Sequence, residues 1–111
     1  AGCGQVAQTR MSHRIRFTEE ARSDIKRLYA FALDASDGDR LYADRIIETI
    51  ETALAMLATT PFVGRKAAEH ALQRELVIGL GSAGFVALYE VEDADEVTIM
   101  SVRHQREDDY R

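Results

Sequence analysis

The chain has 111 residues, one proline, one cysteine and a net charge of −5 at pH 7, which suits one domain and argues against a fold stapled by disulfides or a protein that binds nucleic acid through overall positive charge. Hydrophobic residues at 46% and charged residues at 30% give a chain able to build a core, not a disordered polymer. No apolar run is long enough to span a bilayer, and no basic segment followed by an apolar one opens the chain, so the expectation is a cytoplasmic protein without a membrane partner.

Residues 1–10 show no apolar period and Met11 reads as a natural start, so 1–10 are expected to be a flexible leader and 11–111 a single domain. Cys3 has no second cysteine or close histidine with which to hold zinc, and no metal site is expected. His13, Ile15 and Phe17 alternate with Arg14 and Arg16, a short strand that could join a sheet edge. Thr18 stands where a helix cap belongs, followed by Glu19 and Glu20 at the positive end of the dipole. Ala21, Ile25, Leu28, Ala32 and Ala35 recur at spacings of three and four, with Arg22, Asp24, Lys26, Arg27 and Asp34 on the other side.

Gly38 suits a left-handed helix end and Asp39 a cap for the next helix. That helix is predicted over Arg40 to Thr59, with Ile46, Ile50, Ala53, Leu54 and Leu57 buried and Ala43 and Ile47 widening the stripe. Thr60-Pro61 ends it, because proline cannot donate the next hydrogen bond and pushes the preceding residue out of the helical region. Pro61 to Lys66 reads as a loop with Gly64 at a tight turn and Phe62 pinning the loop to the core. Arg65 and Lys66 read first as solvated turn charges.

Three strand-like segments follow. Leu72, Leu76 and Ile78 alternate with Gln73, Glu75 and Val77, and Phe85, Ala87, Tyr89 and Val91 alternate with Val86, Leu88 and Glu90. Val97 to Val102 is apolar at nearly every position. Gly79, Gly81, Ser82 and Gly84 separate the first pair and Asp93-Ala94-Asp95 the second, which favours a meander. Tyr89 is expected to be a core aromatic with its hydroxyl at the rim. The fold class is therefore α+β: an N-terminal strand and an antiparallel helical hairpin packed on a small antiparallel sheet, in the order β-α-α-β-β-β.

The order of these elements, with Pro61, Gly64 and Arg65 in the loop, Arg74-Glu75-Leu76, Gly84-Phe85, Leu88-Tyr89 and the closing Val102-Arg103-His104-Gln105-Arg106, resembles the RelE/ParE superfamily of bacterial toxins from type II toxin-antitoxin systems. The likeness runs from about Ser12 to Tyr110. It implies one of two activities: cutting messenger RNA in the ribosome, as RelE-like members do, or poisoning DNA gyrase by contact, as ParE-like members do.

Cutting RNA by attack of a 2′-hydroxyl needs a base, a cation for the developing phosphate charge and an acid for the leaving oxygen. Arg74, His104 and Arg106 are the catalytic candidates, but Val86 stands where the superfamily's nucleases commonly place an arginine. Lys66 is the only lysine after the hairpin. The ParE-like reading is preferred, with Arg65, Arg74, Arg103, His104, Arg106 and Tyr110 as partner-binding residues of the types that most often carry interfaces. Alternatives for single residues are that His104 hydrogen-bonds backbone at a strand end and that Arg103 pairs with Glu107 or Asp108. A third reading is a family member that only binds its antitoxin and acts in repression of the operon.

The resemblance further implies a ParD-like, DNA-binding antitoxin, a hetero-oligomer with it, contact with operator DNA only through it, and no cofactor. Ala21, Leu28, Tyr29, Phe31 and Tyr42 are the expected antitoxin groove, since they hold more apolar surface than one helix stripe can bury. Whether Arg14, Arg16, Arg65, Lys66, Arg74, Arg103 and Arg106 form one basic patch depends on how the chain folds.

Overall fold

A computed structural model describes residues 13–67, 72–80, 83–93 and 96–105. Residues 1–12, Cys3 among them, the turn positions 81–82 and 94–95, Arg106, Glu107, Asp108 and Tyr110 lie outside them.

Strand β1 (Arg14–Phe17) leads through Thr18 into helix α1 (Glu19–Ala35), and helix α2 (Arg40–Ala55) follows. The predicted caps are in place: Thr18 Oγ1 accepts from Ala21 N at 3.0 Å and Asp39 Oδ1 from Tyr42 N at 3.2 Å, each satisfying an amide that a helix start leaves without a partner. The link between the helices turns through Asp37 and Gly38, with φ of 58° and 84°, a left-handed pair at a helix end. Helix α2 stops at Ala55 and tightens into a 3-10 turn over Met56–Ala58, shorter than the predicted run to Thr59.

Strands β2 (Arg65–Lys66), β3 (Gln73–Leu80), β4 (Ala83–Asp93) and β5 (Glu96–His104) complete one sheet in the order β1-β5-β4-β3-β2. Two features depart from a small antiparallel sheet of the predicted order. Strand β1 lies parallel to β5, as it must when one helical hairpin carries the chain over to the far side. The loop residues Arg65 and Lys66 pair with Glu75 and Arg74 as an extra edge strand, too short to show a period in sequence.

Helices and sheet bury one another around Leu28, Ile46, Ile50, Leu54, Phe85, Tyr89 and Ile99. On α2, Ala43, Ile46, Ile50 and Leu54 are buried as predicted, Leu57 is buried in the 3-10 turn that follows, and Ala53, expected in the buried stripe, is half-buried. On α1 the stripe is narrower: Ala35 is exposed and Ile25 half-buried. Asp24, expected on the solvent side, turns to the sheet and accepts from Val102 N at 3.0 Å. Beyond the end of β1, the outer edge of β5 meets side chains of α1 instead of a strand, with Thr18 Oγ1 donating to Met100 O at 3.0 Å and Arg27 donating to Val102 O at 3.4 Å. An open edge is thereby closed without another strand.

The pairing of β4 with β5 slips by one residue, from Leu88↔Ser101 to Tyr89↔Ile99, leaving Met100 as a bulge. Alternation along β5 therefore changes phase. Val97, Ile99 and Val102 are all fully buried, and Thr98 and Ser101, three apart, fall on the sheet's other face. The apolar run without a period in the sequence is this change of phase.

Candidate functional site

The cationic candidates do not gather into one patch. Arg14 and Arg16 are on β1 and Arg65 and Lys66 on β2, at opposite edges of the five-stranded sheet, roughly 19 Å apart at ordinary strand spacing. Arg65 is tied to Glu75 by a 3.1 Å ion pair and Arg16 to Glu96 at 3.8 Å.

Around the loop that enters β2 the chain is tightly organised. The Tyr89 hydroxyl donates to Pro61 O at 2.7 Å and accepts from Gly64 N at 3.0 Å, so a fully buried side chain in the central strand holds both ends of the turn. Burial pushes the phenol above the ordinary tyrosine value, against the smaller opposing effects of the Gly64 hydrogen bond and the Arg74 charge. A Cβ at Gly64 would stand 2.6 Å from both the Tyr89 hydroxyl and the Glu75 carbonyl oxygen, so close approach is what requires glycine here. Arg74 closes the other side, its Nη1 donating to Gly64 O at 2.8 Å and Phe62 O at 3.3 Å, with the guanidinium 5.0 Å from the Phe62 ring centroid.

Two expectations are corrected here. Phe62 is 61% exposed and does not pin the loop to the core. That work is done by Tyr89, whose hydroxyl is buried and not at the rim.

At the other end of the sheet, His104 is half-buried with its ring edgewise to Phe31 and Phe85, at centroid distances of 5.9 and 5.2 Å. The bulge at Met100 decides this: it turns His104 toward α1, opposite Phe85, and Arg103 to the other face, opposite Val86. Because Arg74 lies opposite Tyr89 and His104 opposite Phe85, these two of the three catalytic candidates are on different strands and about 13 Å apart along the sheet. They do not share a phosphate site. Among the described residues, no cluster of three or more His, Cys, Asp or Glu side chains could hold a metal.

The groove candidates divide. Ala21 and Leu28 are buried between α1 and the sheet, packed on the core stripe, and present nothing to a partner. Tyr29 is half-buried, its phenol raised by burial and by neighbouring Asp44. Phe31 and Tyr42 are exposed, together with Leu41, and a cavity of about 30 Å³ lies between Phe31, Tyr42, Phe85 and His104.

Comparison with known proteins follows the same geometry. The family model for the ParE toxin of the type II toxin-antitoxin system parDE matches residues 15–109. The chain belongs to the ParE toxin family. Among solved structures, a chain of the chromosomal ParDE system of P. aeruginosa superposes with a TM-score of 0.66 at 18% identity, covering 86% of this chain and 97% of that one. The E. coli toxin RelE, as an arginine double mutant in the free state, superposes at 0.61 with 16% identity, covering 90% and 92%. No curated protein matches. Sequence identities this low carry the fold; membership of the ParE family rests on the match over residues 15–109. No helix among the described residues is long and apolar enough to cross a membrane.

The ParE fold thus holds three of the predicted contact residues at separate places: Arg74 on the Pro61–Gly64 turn, Arg103 on the face away from the helices, and His104 under α1. The exposed Phe62 and Val63 were not singled out in the sequence as contact residues. Proline and glycine flanking an aromatic and a valine was the available signal.

Proposed function

We propose that this ParE family toxin inhibits DNA gyrase by protein contact and is neutralised by a ParD-like antitoxin with which it forms a hetero-oligomer. The observation that supports contact over catalysis is the commitment of Arg74. Its guanidinium is spent on two backbone carbonyls and an aromatic face, and His104 is distant from it, whereas RNA cleavage needs a cation and a proton carrier on the same phosphate. Contact asks only for rigid, exposed anchors.

The exposed Phe31, Leu41 and Tyr42 at the turn of the hairpin suit the apolar face of an antitoxin helix. Operator DNA is reached through the antitoxin, whose own fold would carry the DNA contacts. Two assays run in parallel test the reading: supercoiling by gyrase and primer extension on translated message, each with toxin released from its antitoxin. Inhibition of supercoiling with intact message is the expected result. Cleaved message with unaffected supercoiling would replace it with the ribonuclease reading.

A further inference from the structure

We propose that the Phe62–Arg74 stack, with Val63 and Lys66 beside it, is the anchor with which the toxin grips its protein target, entering an apolar recess rimmed by carboxylates. The inference rests on the contact reading above and names the residues and the surface they fit.

Three observations carry it. Phe62 and Val63 are 61% and 56% exposed on consecutive positions of a loop, which leaves apolar surface in water at a place where the chain had polar alternatives. The loop is nevertheless rigid by construction of its hydrogen bonds: its backbone is held from below by the Tyr89 hydroxyl and from the side by Arg74. An exposed aromatic on a pre-ordered backbone loses little entropy on binding, and aromatic and arginine side chains are the commonest interface anchors.

The third observation is electrostatic. Lys66 and Arg74 are direct register partners across β2 and β3, and like charges placed opposite one another weaken a sheet. One position away, Arg65 is neutralised by Glu75. Among the described residues neither Lys66 nor Arg74 forms an ion pair with a carboxylate. Arg74 against the exposed phenylalanine and Lys66 opposite Arg74 thus put two cations at this loop in a protein whose net charge is −5. An acidic partner surface relieves that repulsion, and local charge of this kind steers encounter even when the whole molecule is acidic. A protein surface fits better than nucleic acid, because Val63 has no π face on which a base could stack and the overall charge repels phosphate.

The test uses the full chain released from its antitoxin, as wild type, Phe62→Ala, Lys66→Glu and Lys66→Arg. Binding to intact gyrase and inhibition of supercoiling are measured, with antitoxin binding and thermal unfolding as controls for folding. Both Phe62→Ala and Lys66→Glu are expected to weaken gyrase binding by about tenfold or more, Lys66→Arg to keep it, and all three to bind antitoxin as wild type does. Wild-type potency in Phe62→Ala and Lys66→Glu overturns the anchor while leaving the gyrase reading intact. A wild-type toxin that leaves supercoiling untouched overturns both. Tight binding of a single-stranded oligonucleotide by the wild type, lost in Phe62→Ala, also overturns it and assigns the stack to nucleic acid.

Discussion

The Tyr89 hydroxyl and the Pro61 carbonyl meet at 2.7 Å across 28 residues of sequence, and with Gly64 N at 3.0 Å the same oxygen fixes the loop between the helical hairpin and the sheet. Removing that oxygen in Tyr89→Phe leaves a buried amide and a buried carbonyl without partners, which costs about 1–3 kcal/mol. Urea unfolding measures the loss. Gly64→Ala should cost more, because its methyl meets the Glu75 backbone as well as the Tyr89 ring, and backbone cannot step aside as a side chain can.

Alkaline unfolding should report the same contact. Burial raises the Tyr89 phenol above 10.0, so the folded state holds its proton when the unfolded chain has begun to lose it. The resulting stability is complete below pH 10 and declines as pH rises through the folded-state value. In Tyr89→Phe the alkaline decline should be shallower, with a residual slope from Tyr29, which burial and Asp44 also raise. An unchanged slope between pH 9 and 12 would show that the hydroxyl is not sequestered.

Thr18 serves two elements at once, capping α1 through Ala21 N and donating to Met100 O on β5. Thr18→Ala should destabilise by about 1–2 kcal/mol, and Thr18→Ser, which keeps the oxygen, by clearly less. Equal losses in thermal melts of the two variants would assign the effect to the methyl group instead.

The bulge makes the sharpest demand. Deleting Met100 removes the extra residue and restores simple alternation to β5, with Ser101 directly after Ile99 and Arg103 and His104 on the faces they already occupy. The deletion is therefore expected to fold but to lose the Met100 carbonyl to which Thr18 donates, at a cost of about 1 kcal/mol, whereas Met100→Ala keeps that carbonyl and should cost less. Thermal melts of the two variants followed by circular dichroism compare the losses, and a deletion that abolishes folding would show that the bulge itself is required.

In the core, Ile50→Ala and Leu54→Ala each remove a fully buried side chain and should cost about 2–5 kcal/mol. Chemical denaturation checks the magnitude. The lower end would mean that α2 settles into the space, the upper that the sheet holds it off.

Much of the architecture was written in short-range patterns. Ile46, Ile50, Leu54 and Leu57 repeat at helical spacing, Thr18 and Asp39 stand before amides that need them, and Phe85, Ala87, Tyr89 and Val91 alternate along one strand. Each is a relation between residues a few positions apart. Phe62 was misread because an aromatic after a proline looks like a core plug, and nothing local announces that a tyrosine 27 residues later already fills that role. Asp24 was misread for the same reason, since its partner amide is 78 residues away.

By itself, then, the amino-acid order determined two amphipathic helices, a strand before them and a meander after them, because a helix or strand needs only periodic apolar residues and local caps to declare itself. It also determined which residue types were available for contact. Only the tertiary structure decided where those residues point. One unpaired methionine in β5 decides which of Arg103 and His104 faces the helices, and one buried hydroxyl holds Phe62 in solvent beside Arg74, because strand register and long-range hydrogen bonds are set by the pairing of segments that no local pattern relates.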